Sequence, residues 1–229
     1  MDQNSSSLAQ SGAYTIDIGA AWSLKDFYEL PHVFEQVYAF NCVFLLAEEA
    51  RDQEKITHTF SSYPWRGGYS AVNFYKVLRS QVPIRLRPKV KSIQYASPGW
   101  IALGLLVPSA IAIGSGIDAF IKSAGGLNNL YTEIHRGLKE RKLMQIDLKQ
   151  KELELAQNQM DFAIKASEQL ARGLGFENLN ELNKQTGNPV ASLKILLSYY
   201  RRIKILAEYV VKGKAKFPAN DDDDLPRLN

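Results

Sequence analysis

The chain has 229 residues, 45% of them hydrophobic and 23% charged, with a formal net charge of +4. That balance is ordinary for a globular protein and excludes a wholly disordered chain. A single cysteine, Cys42, excludes an internal disulfide framework, predicts a cytoplasmic setting and, within the apolar run YAFNCVFLL, reads as a buried small hydrophobe.

Residues 1–12 are polar, with no basic cluster and no apolar run. They predict a disordered N-terminus and no signal peptide. Residues 13–98 then predict a small α+β unit. Tyr14, Ile16 and Ile18 alternate with Thr15 and Asp17, a short strand with one buried face. Ser23 with Asp26 three residues on is a helix start of the capping-box kind. The helix behind it meets Pro31, where it either kinks or restarts. Val33, Phe34, Val37, Tyr38, Phe44 and Leu45 recur at helical spacing. THTFSSYPWRGGYS reads as a loop, and Val72, Tyr75, Leu78 and Val82 as a short helix. From Pro83 to Gly99 the chain looks extended: Ile84 and Leu86 alternate with Arg85 and Arg87, and Lys91, Ile93 and Tyr95 share a face. Pro83, Pro88 and Pro98 point to edge strands or a hairpin.

Residues 99–124 form an apolar segment, predicted helical. Trp100, Ile101, Leu103, Leu105, Leu106, Val107, Ile111 and Ile113 are its candidate membrane- or partner-facing side chains. Its length suits a membrane span. Gly104, Pro108, Gly114 and Gly116 interrupt it, and basic residues crowd both flanks, which a single span disfavours. Three readings stand: a buried pair of short helices around Pro108, a membrane-surface element, or a true span.

Residues 126–212 predict a helical arm and hairpin after a break at Gly125-Gly126. Between Leu127 and Arg172 there is no proline, and Leu148, Leu155 and Phe162 step by sevens. A continuous helix there would run about 70 Å at 1.5 Å per residue. Its sparse stripe suits a coiled-coil-like arm that self-associates. A last helix, with Leu193, Leu196, Leu197, Tyr200, Ile203 and Leu206 on one face, is expected to fold back on it. Residues 213–229 are expected to be a disordered acidic tail carrying Asp221 to Asp224.

Charge is unevenly spread. Between Lys55 and Ile117 there are eight basic residues and no acid, which leaves the flanks together at −4. Arg66, Arg79, Arg85, Arg87, Lys89 and Lys91 are the candidate anion-binding residues, for nucleic acid, anionic lipid or the protein's own acidic segments. Tyr63, Trp65, Tyr69, Phe74 and Tyr75 interleave with them as a single-strand binder's stacking residues would. His32, His58 and His135 show no metal-ligand spacing, AIGSGID lacks the lysine of a phosphate loop, and no serine has a signature partner base. No cofactor and no catalytic activity are predicted. The fold expected is α+β, a small N-terminal α+β unit followed by a mostly helical half. The function expected is a non-enzymatic, self-associating interaction or regulatory protein using an apolar helix, a membrane-associated effector if that helix meets lipid. It would sit in the cytoplasm or at the inner face of the membrane. The alternative is nucleic-acid binding through the basic, aromatic-rich block 63–91.

Overall fold

The computed structural model describes residues 11–19, 21–47, 57–60, 68–95, 98–144 and 157–220. The protein is α+β. Strand β1 (Ser11–Ile18) buries Tyr14, Ile16 and Ile18, as their alternation requires. It pairs antiparallel along its whole length with β3 (Gly99–Leu106), from Ser11 opposite Leu106 to Ile18 opposite Gly99. Strand β2 (Lys89–Gln94) pairs with the other side of β3, and β4 (Ala215–Lys216) adds to β1 at Asp17 and Ile18. Among the described residues the sheet has the order β2-β3-β1-β4.

Residues 99–106 are thus an interior strand, where a helix was expected. Every residue of β3 is buried or half-buried, so its sequence lacks the polar alternation that would announce a strand. Proline explains the other half of the segment. Pro108 lies in the first turn of α3 (Val107–Glu140), where it needs no N–H partner, so it starts this helix instead of breaking one. Gly125 and Gly126 lie inside α3, and the expected break there does not occur. Ile84–Leu86 is one 3₁₀ turn, not a strand.

Helix α1 (Leu24–Ala47) lies between the sheet and the helical half. Ser23 N–H donates to Asp26 Oδ2 at 2.7 Å and Asp26 N–H to Ser23 Oγ at 3.3 Å, the predicted reciprocal cap. The helix continues through Pro31. Its aromatic face holds it on both sides. Phe34 stacks against Tyr14 of the sheet, and Phe40 meets Phe74, Tyr75, Phe176 and Tyr199. The Tyr38 hydroxyl donates to Leu86 O at 2.5 Å and accepts from Leu106 N–H at 2.9 Å, tying the 3₁₀ turn to the end of β3. Helix α2 (Gly68–Gln81) buries Phe74, Tyr75 and Leu78 against α1, while Val72 is exposed.

The described part of the arm is two helices, α3 and α4 (Gln157–Gly173), not one. A Cβ on Gly137 would meet Phe162, a Cβ on Gly173 would meet Leu127, and Gln159 donates to Arg141 O at 3.2 Å. As one helix's numbers rise its partner's fall, so the two run antiparallel. Glycines at the crossing let the backbones approach. Helix α5 (Leu179–Thr186) ends on Gly187 at φ +61°, a left-handed cap suited to glycine. Helix α6 (Pro189–Val211) starts on Asn188, whose side chain accepts from Val190 and Ala191 N–H at 2.9 and 3.2 Å. Every residue from Val190 to Tyr200 is buried. It is the central helix of its half, packed on α1, α3, α4 and α5, where a hairpin partner was expected.

Residues 213–220 are docked, where a disordered tail was expected. Beyond β4, Phe217 is buried and stacks on Phe34. Pro218 O accepts from the Tyr14 hydroxyl at 3.0 Å, and Lys214 Nζ lies 2.8 Å from Asp26 Oδ2. Gly114 makes room for this strap: a Cβ there would lie 2.1 Å from Pro218 O. At the other end of the chain, Ser11 and Gly12 already belong to β1, so the expected N-terminal disorder does not reach residue 12.

Candidate functional site

The residues proposed from sequence fall into three groups. The apolar set belongs to the core. Ile101, Leu103, Leu105, Leu106 and Ile113 are buried, and Trp100, Val107 and Ile111 are half-buried. The five buried ones are withdrawn from lipid and from a partner, while Trp100, Val107 and Ile111 keep part of their surface exposed. Of the readings left open, burial is the one the structure contains, as a strand and a helix meeting at Pro108. Among the described residues no helix is long and apolar enough to cross a membrane.

Of the self-association set, Phe162 alone falls within the described residues. Leu148 and Leu155 lie outside the described residues. Phe162 is occupied within the chain, against Gly137 and under the Arg141 guanidinium at 4.2 Å.

The anion-binding set is partly assembled. Arg66 lies outside the described residues, and Arg79 pairs with Glu35 at 2.8 Å. Lys89 and Lys91 lie on β2, the edge strand among the described residues, and Arg85 and Arg87 lie on the 3₁₀ turn just before it. Arg87 is held by Val82 O at 3.0 Å and Ser80 O at 3.3 Å. Arg85, Lys89 and Lys91 are exposed and pair with no described acid.

The geometry of β2 explains how one strand carries two kinds of residue. A bulge between Val90 and Ser92 shifts its register against β3. Lys91 is thereby turned over Gly104, whose missing side chain leaves room for the lysine stem. Val90 and Ile93 instead share the face of Leu103 and Ile101, toward the α1 layer. That layer stops short of the sheet edge. Val90 is 60% exposed, Ile93 52% and Tyr95 56%, although each is on the side that β1 and β3 bury. Tyr95 closes the end of the strip by accepting from Trp22 N–H at 3.1 Å and packing on Phe27. The alternation of lysine with β-branched residues made the strand legible. Nothing local shows that its inner face is uncovered.

Three further charged or nucleophilic groups, Cys42, Arg202 and Lys194, are engaged in the packed interior. Burial raises the Cys42 thiol to about 11. Arg202 stacks 3.7 Å over the Tyr75 ring and donates to Gln36 Oε1 and to Ser198, so the basic stretch of α6 is partly folded into the core. Lys194 is buried, lowered to about 8 by desolvation, and reaches Met144 O at 3.4 Å. Phe74 and Tyr75, expected as base-stacking rings, are core residues. Among the described residues there is no group of three His, Cys, Asp or Glu able to hold a metal ion. No family model matches the chain, no curated protein is significantly similar to its sequence, and no solved structure is significantly similar to its fold.

Proposed function

We propose that the protein is a non-enzymatic interaction protein that self-associates head to tail, the basic edge of one copy receiving the acidic C-terminal run of the next. One observation carries the reading: among the described residues β2 is an uncovered edge with cations that lack acidic partners and, beside them, an exposed apolar strip. Such an edge attracts a second polypeptide segment. The chain contains a segment with the complementary order, Asp221 to Asp224 followed by Leu225, Pro226 and Leu228. Four carboxylates suit Arg85, Arg87, Lys89 and Lys91, and two leucines suit Val90, Ile93 and Tyr95. The contact joins two different surfaces, so it propagates unless a ring closes. Nucleic acid is the weaker occupant, because the expected stacking rings Phe74 and Tyr75 are in the core. Lipid is weaker still, with Ile101, Leu105 and Ile113 buried. A cytoplasmic setting is supported by Cys42, a buried thiol with no cysteine partner in the chain.

Light scattering across salt concentration tests this. The reading expects mass to grow with protein concentration at about 50 mM salt and to fall to the monomer by about 500 mM, as screened ion pairs require. Neutralising Lys89 and Lys91 to glutamine should weaken association at low salt about tenfold, at most about 1 kcal/mol for each exposed pair. A monomer at low salt and about 100 μM, or association unchanged by salt, would contradict it.

A further inference from the structure

A cleft of about 260 Å³ opens between α1, the first turns of α3, the connection from α4 to α5, and α6. It is separate from the β2 edge and nothing above depends on it. Its wall is aromatic. Phe44 and Phe176 pack edge to face with centroids 5.7 Å apart, and Phe176 meets Tyr199 at 5.8 Å. At the closed end the Tyr199 hydroxyl donates to Asn41 Oδ1 at 3.4 Å, and Asn41 Nδ2 donates to Ser109 O at 3.3 Å. On the rim, Ser115 Oγ donates to Ala219 O at 3.2 Å. These donors are engaged inside the protein, so the oxygens of Asn41, Tyr199 and Ser115 keep lone pairs for a guest. Among the described residues that line the cleft, Glu177 carries a full charge and none is Lys, Arg or His.

We infer that this cleft binds an alkylammonium group, a cationic amine on a short apolar stem. Aromatic faces, oxygen acceptors and one carboxylate all attract a cation with N–H donors and offer an anion little. Size agrees. A dry cavity of about 150 Å³ takes benzene, so this one takes roughly ten non-hydrogen atoms, too few for a nucleotide. The same group is carried by a free small amine and by a lysine side chain of another polypeptide.

Calorimetric titration of the full chain with n-hexylamine, against n-hexanol as the uncharged control, tests the inference. The amine should bind about tenfold tighter than the alcohol, the range of a partly desolvated cation–π contact with a carboxylate nearby. Glu177 is exposed, so Glu177→Gln keeps the fold, checked by circular dichroism. It should weaken the amine about fivefold and leave the alcohol unchanged. A blocked lysine peptide and its acetyl-lysine form separate the sources. Binding lost on acetylation assigns the cleft to a polypeptide lysine, and binding of hexylamine alone assigns it to a free amine. Equal affinity for amine and alcohol, an unchanged Glu177→Gln variant, or no saturable binding of either amine source would overturn the inference.

Discussion

Strands β2 and β3 are four residues apart in the chain and paired in the sheet, yet they live in opposite environments. β3 is uncharged and buried through Ile101, Leu105 and Leu106. β2 carries Lys89 and Lys91 and exposes Val90 and Ile93 on the very face that β3 buries. The difference is position. β3 has a neighbour on each side and a helical layer above it, whereas β2 lies at the margin where α1 no longer reaches. Burial follows the place of a strand in its sheet, and only indirectly its composition. The most membrane-like segment is the inside of the fold, and the most ordinary strand is its exposed margin.

The largest expected effect tests that contrast directly. Leu105→Asp should destabilise the protein by about 4 kcal/mol or more, most of a total stability at the low end of about 5–15, because it buries an unpaired carboxylate and loses the leucine. Ile93→Asp, on the exposed strand, should change stability by less than about 1 kcal/mol. Urea melts of the two variants read both. Similar losses would erase the distinction between the strands.

Cations sharpen it next. Lys194 is buried and Lys91 is not. Desolvation holds Lys194 at about 8, below the ordinary 10.5, so its charged form is disfavoured in the folded state. Between these values the unfolded chain binds the extra proton, and stability rises with pH from about 8 to 10.5. Lys194→Met should therefore stabilise the protein at pH 7 by about 1–3 kcal/mol and remove its part of that rise. Lys91→Met should leave stability and its pH dependence nearly unchanged. A destabilised Lys194→Met would mean that the ammonium's contacts outweigh its burial.

Two glycines of α3 give a smaller pair. Gly114 touches the C-terminal strap, so Gly114→Ala should push Pro218 away and destabilise by about 1–3 kcal/mol. A Cβ on Gly125 meets nothing within 4 Å, so Gly125→Ala should stabilise by about 0.5–1 kcal/mol through helix propensity. Thermal melts with opposite shifts would confirm both the docked strap and the unbroken helix. The smallest effect concerns the strap's ion pair. The Lys214 ammonium, with Ser23, holds the Asp26 carboxyl well below the usual carboxylate range. Its contribution is present above the ordinary value near 3.9 and is lost as pH falls toward the folded value. Asp26→Asn should flatten the acid limb of the stability curve below about pH 4 and lower the plateau slightly. An unchanged acid limb would show that the pair does not form.

Much of the N-terminal unit was legible locally. β1 announced itself by the alternation of Tyr14, Ile16 and Ile18, α1 by the Ser23–Asp26 cap, and β2 by proline-bounded alternation. What failed was long-range. β3 and the first turns of α3 are uncharged and largely apolar, and a continuous apolar run does not distinguish strand from helix. The hairpin of α3 and α4 depends on Gly137 meeting Phe162, a contact across residues that read as one charged helix. The central place of α6 was masked by Ser192, Lys194 and Ser198, polar residues that a one-sided helix would have turned to solvent. Phe217 and Pro218 looked like part of a tail because their partners, Phe34 and Tyr14, lie near the other end of the chain. At the candidate site the cations were legible as a block without acids. The exposed strip beside them was not, because only the extent of α1 decides it.

The most direct test of the head-to-tail account uses two chains that cannot self-associate but can complete each other. One carries Arg85, Arg87, Lys89 and Lys91 changed to Glu and keeps its acidic run. The other keeps its basic edge and has Asp221 to Asp224 changed to Asn. The measurement is sedimentation equilibrium at low salt on each alone and on their equimolar mixture. The account predicts monomers separately and, on mixing, a capped pair of about twice 25.7 kDa that does not grow further. A mixture that stays monomeric, or single variants that assemble like the unaltered protein, would contradict it.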